Sequence, residues 1–287
     1  MEMSKRKALL YGTILTFGLG TLYLGLSMKN SHPPEEPNSW DLIIFTQTWP
    51  QTLCYTWEEN NPHHTCNFPK QKNLWTVHGL WPTKLGTIGP AFCNKSISFD
   101  PKALYSIEEQ IHEYWVDIEQ LNNETEVNIS KNTISHKKES IWFHEWEKHG
   151  TCALTLPSLN SEFEYFNQGI KWSEMYNMKD ILEKGDIKVN DTTSLVTDYW
   201  KAIESVLKTN AWIECAFKSD TKQQMLLEIR ICFDKSLKMV NCNGICGEES
   251  DISKDHLLTN CDLNKPILYL DSIPKNQKSS INPGFNE

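Results

Sequence analysis

The chain has 287 residues, of which 39% are hydrophobic and 11 are tryptophan. This composition suffices for a sizeable core and excludes a largely disordered protein. A formal net charge of −9 at pH 7 argues against a general polyanion-binding protein at neutral pH. The nine histidines would offset most of this charge below about pH 5, so an acidic compartment would change that argument.

The N-terminus has the pattern of a targeting segment. A basic cluster at positions 5–7 precedes an apolar run at positions 8–26. A secretory signal has an apolar core of roughly 7–15 residues, whereas a spanning helix needs about 20. We expect residues 1–27 to be a cleaved signal peptide, with an uncleaved signal anchor in the membrane as the alternative. Either one places the rest of the chain in a lumen.

Cysteines and glycosylation sequons agree with this compartment. All nine cysteines follow the apolar run, which is typical of a lumenal protein with four disulfides and one remaining thiol. Four sequons for N-glycosylation begin at Asn94, Asn123, Asn128 and Asn190. We therefore expect a protein of the secretory pathway that is secreted or resides in the lysosomal or ER lumen.

The rest of the chain predicts one α+β domain at residues 40–275. A proline-rich linker or mature N-terminus at 28–39 precedes it, and a polar tail at 276–287 follows it. Apolar runs bounded by proline or glycine predict strands at 40–50, 73–82, 211–217 and 225–233. Apolar residues at helical spacing predict helices at 106–119, 161–176 and 194–208.

The stretch IWFHEWEKHGTC at 141–152 is the richest in chemistry. On a helix that turns by about 100° per residue, four ionisable side chains share one arc of roughly 140°. They are His144, Glu145, Lys148 and His149. Lys148 would lie beside His144, and Glu145 one turn below His149, where its carboxylate could orient the imidazole.

Two other interpretations of this helix are weaker. A zinc helix needs two histidines one turn apart, but the residue one turn after His144 is Lys148. A solvated amphipathic face leaves the histidines beside Trp142 and Trp146 unexplained, since both tryptophans would face the interior. Gly150 predicts the helix end.

Acid–base catalysis needs one group to accept a proton, another to give one, and a cation for the developing charge. LWTVHGLWP at 74–82 offers a further histidine, His78. It follows an apolar strand and precedes Gly79, which predicts a sharp turn. Strand alternation places His78 and Thr76 on the face opposite Trp75 and Val77.

Two of these segments carry a resemblance to a known family. WTVHGLWP (75–82) and FHEWEKHGTC (143–152) resemble the two active-site motifs of the T2 ribonucleases, which are secreted or lysosomal acid endoribonucleases. FTQTWP (45–50) and LLEIRICFD (226–234) resemble two further strands of that family. The resemblance covers roughly residues 40–265. It implies an α+β fold whose central, mostly antiparallel sheet is flanked by helices and bridged by disulfides.

The resemblance also implies a reaction and its residues. Single-stranded RNA would be cleaved without metal or cofactor, through a 2′,3′-cyclic phosphate, to 3′-phosphate ends. His149 would be the general base on the 2′-hydroxyl and His78 the general acid on the 5′-oxygen. His144 would bind phosphate, and Glu145 with Lys148 would assist the transition state. DNA lacks the 2′-hydroxyl, so it would not react.

For base recognition, the resemblance implies that Trp81 stacks on a base and that Gln47 contacts a second base. Thr83 and Ile141 stand where the family often has aspartate and phenylalanine, which puts base preference in doubt. We expect low base specificity. We expect a monomer whose partner is RNA. A lumenal binding protein that kept this fold and lost turnover is the other class of function, which the presence of all three histidines disfavours. The implied disulfides are Cys54–Cys66, Cys93–Cys152, Cys232–Cys242, and Cys215 with either Cys261 or Cys246.

Overall fold

The computed structural model describes residues 39–60, 63–87, 89–121, 140–245 and 257–273. The targeting segment, Asn123, Asn128, Cys246 and the polar tail lie outside these ranges. The described residues belong to one unit, Pro37–Glu287. The domain boundaries at 27, 39 and 275 stay predictions.

Strands in the described residues form two sheets. They are β1 (Leu42–Thr48), β2 (His64–Cys66), β3 (Thr76–Thr83), β4 (Glu119–Leu121), β5 (Trp212–Phe217), β6 (Gln224–Asp234), β7 (Met239–Val240) and β8 (Leu258–Thr259). The main sheet has the order β3-β1-β6-β5-β8, with β7 also paired to β6. Its pairs are antiparallel except β5 with β8, and β2 pairs separately with β4. The predicted mostly antiparallel sheet is confirmed.

Helices precede, separate and follow these strands. They are α1 (Pro50–Asn60), α2 (Glu108–Tyr114), α3 (Ile141–Glu145), α4 (Thr151–Ala153), α5 (Glu162–Met175), α6 (Met178–Lys184) and α7 (Val196–Leu207). Two 3₁₀ turns, Pro101–Ile107 and Pro157–Leu159, and one π-helical turn, Trp146–Gly150, complete them. The helix expected at 106–119 is therefore shorter, while α1 and α6 were not predicted.

The two faces of the main sheet have different neighbours. Alternate residues of β1 and β6 point into the large apolar core shared with the helices, among them Ile43, Phe45, Ile229 and Ile231. The residues between them point the other way, because side chains alternate along a strand. There they form a small apolar cluster that includes Leu42, Ile44, Trp212 and Cys232. Polar side chains continue this second face.

A β-bulge interrupts the pairing of β3 with β1. Thr46 pairs with Gly79 and Gln47 pairs with Val77, so His78 is an extra residue in β3. The sharp turn predicted at Gly79 is wrong, because β3 continues to Thr83. A bulge bends the strand and re-aims its side chains.

Disulfides join Cys54 to Cys66, Cys93 to Cys152, Cys215 to Cys261, and Cys232 to Cys242. These are the pairs that the resemblance implies, and they resolve the alternative for Cys215. The bridge from Cys93 to Cys152 ties the loop after β3 to α4.

Candidate active site

The bulge in β3 places one edge of the site. A Cβ atom on Gly79 would lie 2.0 Å from Glu145 Oε2 and 2.2 Å from Trp81 Nε1. The side chains of Glu145 and Trp81 therefore occupy the space that any other residue at position 79 would fill. Gly79 is needed for this close approach and not for a turn.

The segment from α3 through the π-helical turn to α4 supplies the opposite edge. Ser140 caps α3 by accepting a hydrogen bond from the Phe143 amide. Trp142 and Trp146 are 4% and 2% exposed, which confirms that the indoles anchor this segment in the core. The Trp142 indole donates to the Trp115 carbonyl at 2.8 Å.

The prediction that the helix ends at Gly150 is wrong. Thr151–Ala153 continue the segment as α4. A Cβ on Gly150 would lie 2.3 Å from Trp146 Cε3. The glycine therefore permits the packing of this indole beneath the π-helical turn.

The structure brings the histidines of the two motifs together around Trp81. His78 Nε2 lies 3.7 Å from Glu145 Oε1, and the Trp81 indole donates to Glu145 Oε2 at 2.8 Å. The Trp81 ring centroid is 5.0 Å from that of His78 and 5.4 Å from that of His149. His144 is exposed and its ring lies 6.5 Å from that of His149.

The expected pairing of Glu145 with His149 is wrong. Glu145 is 1% exposed and faces His78 and Trp81 instead. His149 Nδ1 is buried and has no hydrogen-bond partner among the residues that the structure describes. The cause is the π-helical turn, whose i→i+5 bonds change the angular spacing on which the α-helical calculation depends.

Burial and positive charge favour the neutral form of two histidines. Burial lowers the pKa of His149 to about 2, and the charge of Lys148 adds to this effect. Burial and the charge of Lys148 also lower the pKa of His144, the residue expected to bind phosphate, and so favour its neutral form. Lys148 thus lies close enough to act on both rings, and its backbone carbonyl accepts from the Phe92 amide.

His78 is shifted in the opposite direction. Burial alone would lower the pKa of His78, but the negative charge of Glu228 and its hydrogen bond outweigh this and raise the pKa to about 9. Burial raises the pKa of Glu145 to about 7, although the charge of His78 opposes the rise. At acidic pH the site therefore holds one protonated imidazole, one neutral imidazole and a protonated carboxyl group.

Comparison with known proteins identifies the architecture around these residues. The profile of the Ribonuclease T2 family matches residues 40–242, which include both motifs. The chain belongs to the Ribonuclease T2 family. As a member of this family it is an RNA-cleaving endoribonuclease, which confirms the class of enzyme that the motifs predicted.

Relatives within the Ribonuclease T2 family come from several animals. The chain is 32% identical over 233 residues to Ribonuclease Oy of Magallana gigas, a match that covers 80% of this chain and 96% of the relative. It is 31% identical over 206 residues to Ribonuclease T2 of Sus scrofa, covering 71% and 90%. Human RNase T2 has a crystal structure that aligns with 81% of this chain and 99% of its own, with a TM-score of 0.55 and 25% identity. RNase NT in complex with 5′-AMP aligns with a TM-score of 0.59 at 21% identity, over 81% of this chain and 98% of its own, and shows the fold alone.

Gln47 does not join this T2 site. It pairs with Val77 and Ile229, both of which point into the large core, and only 1% of its surface is exposed. Its amide donates to the Tyr176 carbonyl at 2.9 Å. The predicted contact with a second base is therefore wrong for this conformation, because the strand register turns Gln47 to the other face of the sheet.

Base stacking by Trp81 stays a prediction. Its ring already contacts the rings of His78 and His149, and the guanidinium of Arg230 lies 5.1 Å from its centroid. A base would have to share the indole with these groups.

Sequence reasoning missed four polar residues of this face. Thr48, Glu214, Glu228 and Arg230 lie side by side on β1, β5 and β6. The available signal was the strand LLEIRICF itself, since Glu228 and Arg230 are two apart in an otherwise apolar run. Charges at that spacing share one face of a strand and need buried partners.

No helix in the described ranges is long and apolar enough to cross a membrane. Within those ranges, the cluster with the spacing of a metal site is Cys54, Glu58 and Cys66. Its two cysteines form a disulfide, so they offer no thiolate ligands.

Proposed function

We propose that the protein cleaves single-stranded RNA by metal-independent acid–base transphosphorylation, with low base specificity and an acidic pH optimum. The observation that carries this proposal is the opposite pKa shift of two imidazoles whose rings both contact Trp81. The pKa of His78 is raised and that of His149 is lowered. A matched proton donor and proton acceptor are what this chemistry requires.

In the first step His149 takes the proton of the 2′-hydroxyl while its oxygen attacks phosphorus. His78 gives the proton on Nε2 to the 5′-oxygen as the bond between phosphorus and that oxygen breaks. The products are a 2′,3′-cyclic phosphate and a free 5′-hydroxyl. Each positioned acid or base typically contributes about 10²–10⁴-fold to the rate.

In the second step water replaces the 5′-oxygen. His78, now neutral, accepts a proton from the water as its oxygen bonds to phosphorus. His149, now protonated, returns its proton to the 2′-oxygen as the ring opens. The product is a 3′-phosphate, and both histidines recover their starting protonation states.

Two of the remaining motif residues stabilise negative charge on the phosphate. Lys148 supplies a cation, and the exposed His144 supplies a ring N–H donor even when it is neutral. Glu145 is enclosed behind His78 and Trp81, so we assign it an action through those two side chains.

The same pKa shifts support an acidic optimum. At pH 4–6 His149 is neutral because its pKa lies below this range, and His78 is protonated because its pKa lies above it. Glu145, with a pKa of about 7, is also protonated there. Above pH 7 an ionised Glu145 would repel the anionic phosphate, so kcat/KM should begin to fall before His78 deprotonates.

We place the enzyme in the lumen of the secretory pathway as a monomer that acts on RNA there. The four disulfides support an oxidising compartment. Asn190 is exposed and Asn94 is half-buried at the surface, so both sequons are candidates for glycosylation.

The direct test is digestion of an RNA oligonucleotide at pH 4–6 in excess EDTA, with the products resolved by mass spectrometry. We expect a 2′,3′-cyclic phosphate at early times, no cleavage at a 2′-deoxy position, and no cleavage by a His78→Phe variant. Absence of the cyclic product from the parent enzyme would refute the mechanism. Loss of activity in EDTA would instead favour a metal-dependent hydrolase.

A further inference from the structure

Glu228 lies against His78 but belongs to neither motif. Its Oε1 atom is 2.5 Å from His78 Nδ1, the nitrogen that faces away from Glu145. Glu228 is on β6, two strands away from β3 in the sheet. The bulge at His78 therefore directs the imidazole across β1 toward the Glu228 carboxylate on β6.

Three further contacts fix the carboxylate of Glu228. The Thr48 hydroxyl donates to Oε1 at 3.1 Å, and Arg230 donates to Oε2 from Nε at 3.3 Å and from an Nη atom at 2.9 Å. The side chain is 7% exposed. Both oxygens thus accept hydrogen bonds, which hold the carboxylate in place.

Arg230 is itself immobilised. Its guanidinium lies 5.1 Å from the ring centroid of Trp81 and 5.7 Å from that of Trp212. It also forms an ion pair with Glu214 on the neighbouring strand. A cation held in this way keeps Glu228 ionised.

The charge state of Glu228 sets the role of each nitrogen in His78. Burial would raise the pKa of Glu228, but His78 and Arg230 outweigh burial and lower it to about 2. An ionised carboxylate can only accept, so the proton of this hydrogen bond belongs to His78 Nδ1. The second proton of the imidazolium is then on Nε2, which faces Glu145.

We propose that Glu228 is a positioning residue for the general acid: it accepts the Nδ1–H of His78 and so directs the Nε2 proton toward the leaving oxygen. This inference rests on the proposed function, since it assigns the step in which His78 donates. Its partners Thr48 and Arg230 hold the carboxylate, and Arg230 links it to Trp81.

Other charged groups also act on His78 and must be separated from Glu228 in any test. Those whose charges act on it or respond to it are Glu145, His144 and His149 from the α3–α4 segment, Arg230 from β6, Glu214 from β5 and Glu119 from β4. Among the groups that raise the pKa of His78, the charge of Glu228 acts most strongly and that of Glu145 follows.

The test compares Glu228→Gln with Glu214→Gln, which removes a carboxylate bound to the same Arg230 from the next strand. The pKa of His78 is followed by NMR of its ring protons, and kcat/KM is measured from pH 4 to 9. Without Glu228 the pKa should fall toward the ordinary value of about 6.5, which at pH 7.5 reduces the protonated fraction of His78 to about a tenth.

We therefore expect Glu228→Gln to lower kcat/KM about 10–100-fold at pH 7.5 and less than about fivefold at pH 5. Glu214→Gln leaves Glu228 in contact with His78, so it should shift the His78 pKa less than Glu228→Gln does and should lower kcat/KM at pH 7.5 by a smaller factor. An unchanged His78 pKa in Glu228→Gln would overturn the proposal. So would an equal loss at every pH together with a lower thermal midpoint, which is the signature of a merely structural role.

A second variant, Glu228→Asp, keeps the charge but shortens the reach. Its His78 pKa and its activity at pH 7.5 should lie between those of the parent and of Glu228→Gln. If Glu228→Gln does not fold, Glu228→Asp tests the proposal by itself. A His78 pKa and an activity at pH 7.5 that both equal those of the parent would then overturn it. The NMR titration needs no turnover, so it also distinguishes this inference from a failure of the proposed function.

Discussion

At the scale of single residues, Gly79 determines how closely the two motifs approach each other. The space where its Cβ would be is filled by the Glu145 carboxylate and the Trp81 indole nitrogen. Those two groups form a hydrogen bond with each other, and the other oxygen of Glu145 lies 3.7 Å from His78 Nε2. A single methyl group at position 79 would therefore separate the carboxylate from the indole and from His78, the proposed general acid.

Replacing Gly79 by alanine should lower kcat/KM at least tenfold, because Glu145 and Trp81 must both move. Gly89 offers a matched control: its Cβ would meet the Ala91 amide nitrogen at an ordinary 3.5 Å. Steady-state kinetics at pH 5 on both variants measures the difference. Parent-like kinetics in Gly79→Ala would show that the contact between the motifs is not needed for turnover.

At the scale of elements, the sequence did not predict the π-helical turn Trp146–Gly150 or the β-bulge in β3. Helical spacing correctly turned Trp142 and Trp146 inward, because their burial is insensitive to small changes in angle. The same calculation misplaced Glu145 and His149, because a π-helical turn depends on packing that one segment does not encode.

The β-bulge was equally invisible, since its register is defined by β1 as well as by β3. The sequence of one strand predicts that its side chains alternate between the two faces of the sheet, but it does not show where an extra residue interrupts the pairing. The resemblance implied a site contact for Gln47, but the face on which Gln47 or Glu228 lies depends on pairing between distant segments, which one strand does not show.

The bridge from Cys93 to Cys152 connects the loop after β3 to the end of the catalytic segment. It closes 59 residues, and the neighbouring Phe92 amide donates to the Lys148 carbonyl. Replacing both cysteines by alanine should lower the free energy of unfolding by about 2–4 kcal/mol. It should also reduce kcat/KM about tenfold, because the π-helical turn loses a support.

Alanine at both Cys54 and Cys66 is the control, since this bridge closes only 12 residues, between α1 and β2. Chemical denaturation and kinetics on the two double variants separate stability from activity. A Cys93/Cys152 variant that is destabilised yet fully active in the folded state would contradict the proposed support.

At the scale of the whole molecule, the sequence sufficed for the fold class and the family, because both follow from long motifs. The resemblance implied three of the four disulfides and left the partner of Cys215 open, and only the structure identifies it as Cys261. The arrangement of the candidate active site could not be predicted without the strand pairing of the sheet. Its residues come from β1, β3, β5 and β6 and from the α3–α4 segment. The proposed acid, His78, comes from one motif and the proposed base, His149, from the other, so neither motif contains a complete site.

The central claim is that His78 donates a proton to the leaving oxygen while His149 accepts one from the nucleophile. A dinucleotide with sulfur in place of the bridging 5′-oxygen tests it most directly. Its leaving thiolate has a conjugate acid of pKa roughly 8.5 and needs no general acid.

His78→Asn and His149→Asn are compared on the oxygen and sulfur substrates at pH 5. Both variants should lose at least about 10²-fold on the oxygen substrate. On the sulfur substrate His78→Asn should recover most of its activity and His149→Asn should not. Equal losses of both variants on both substrates, or recovery of His149→Asn instead, would contradict the assignment.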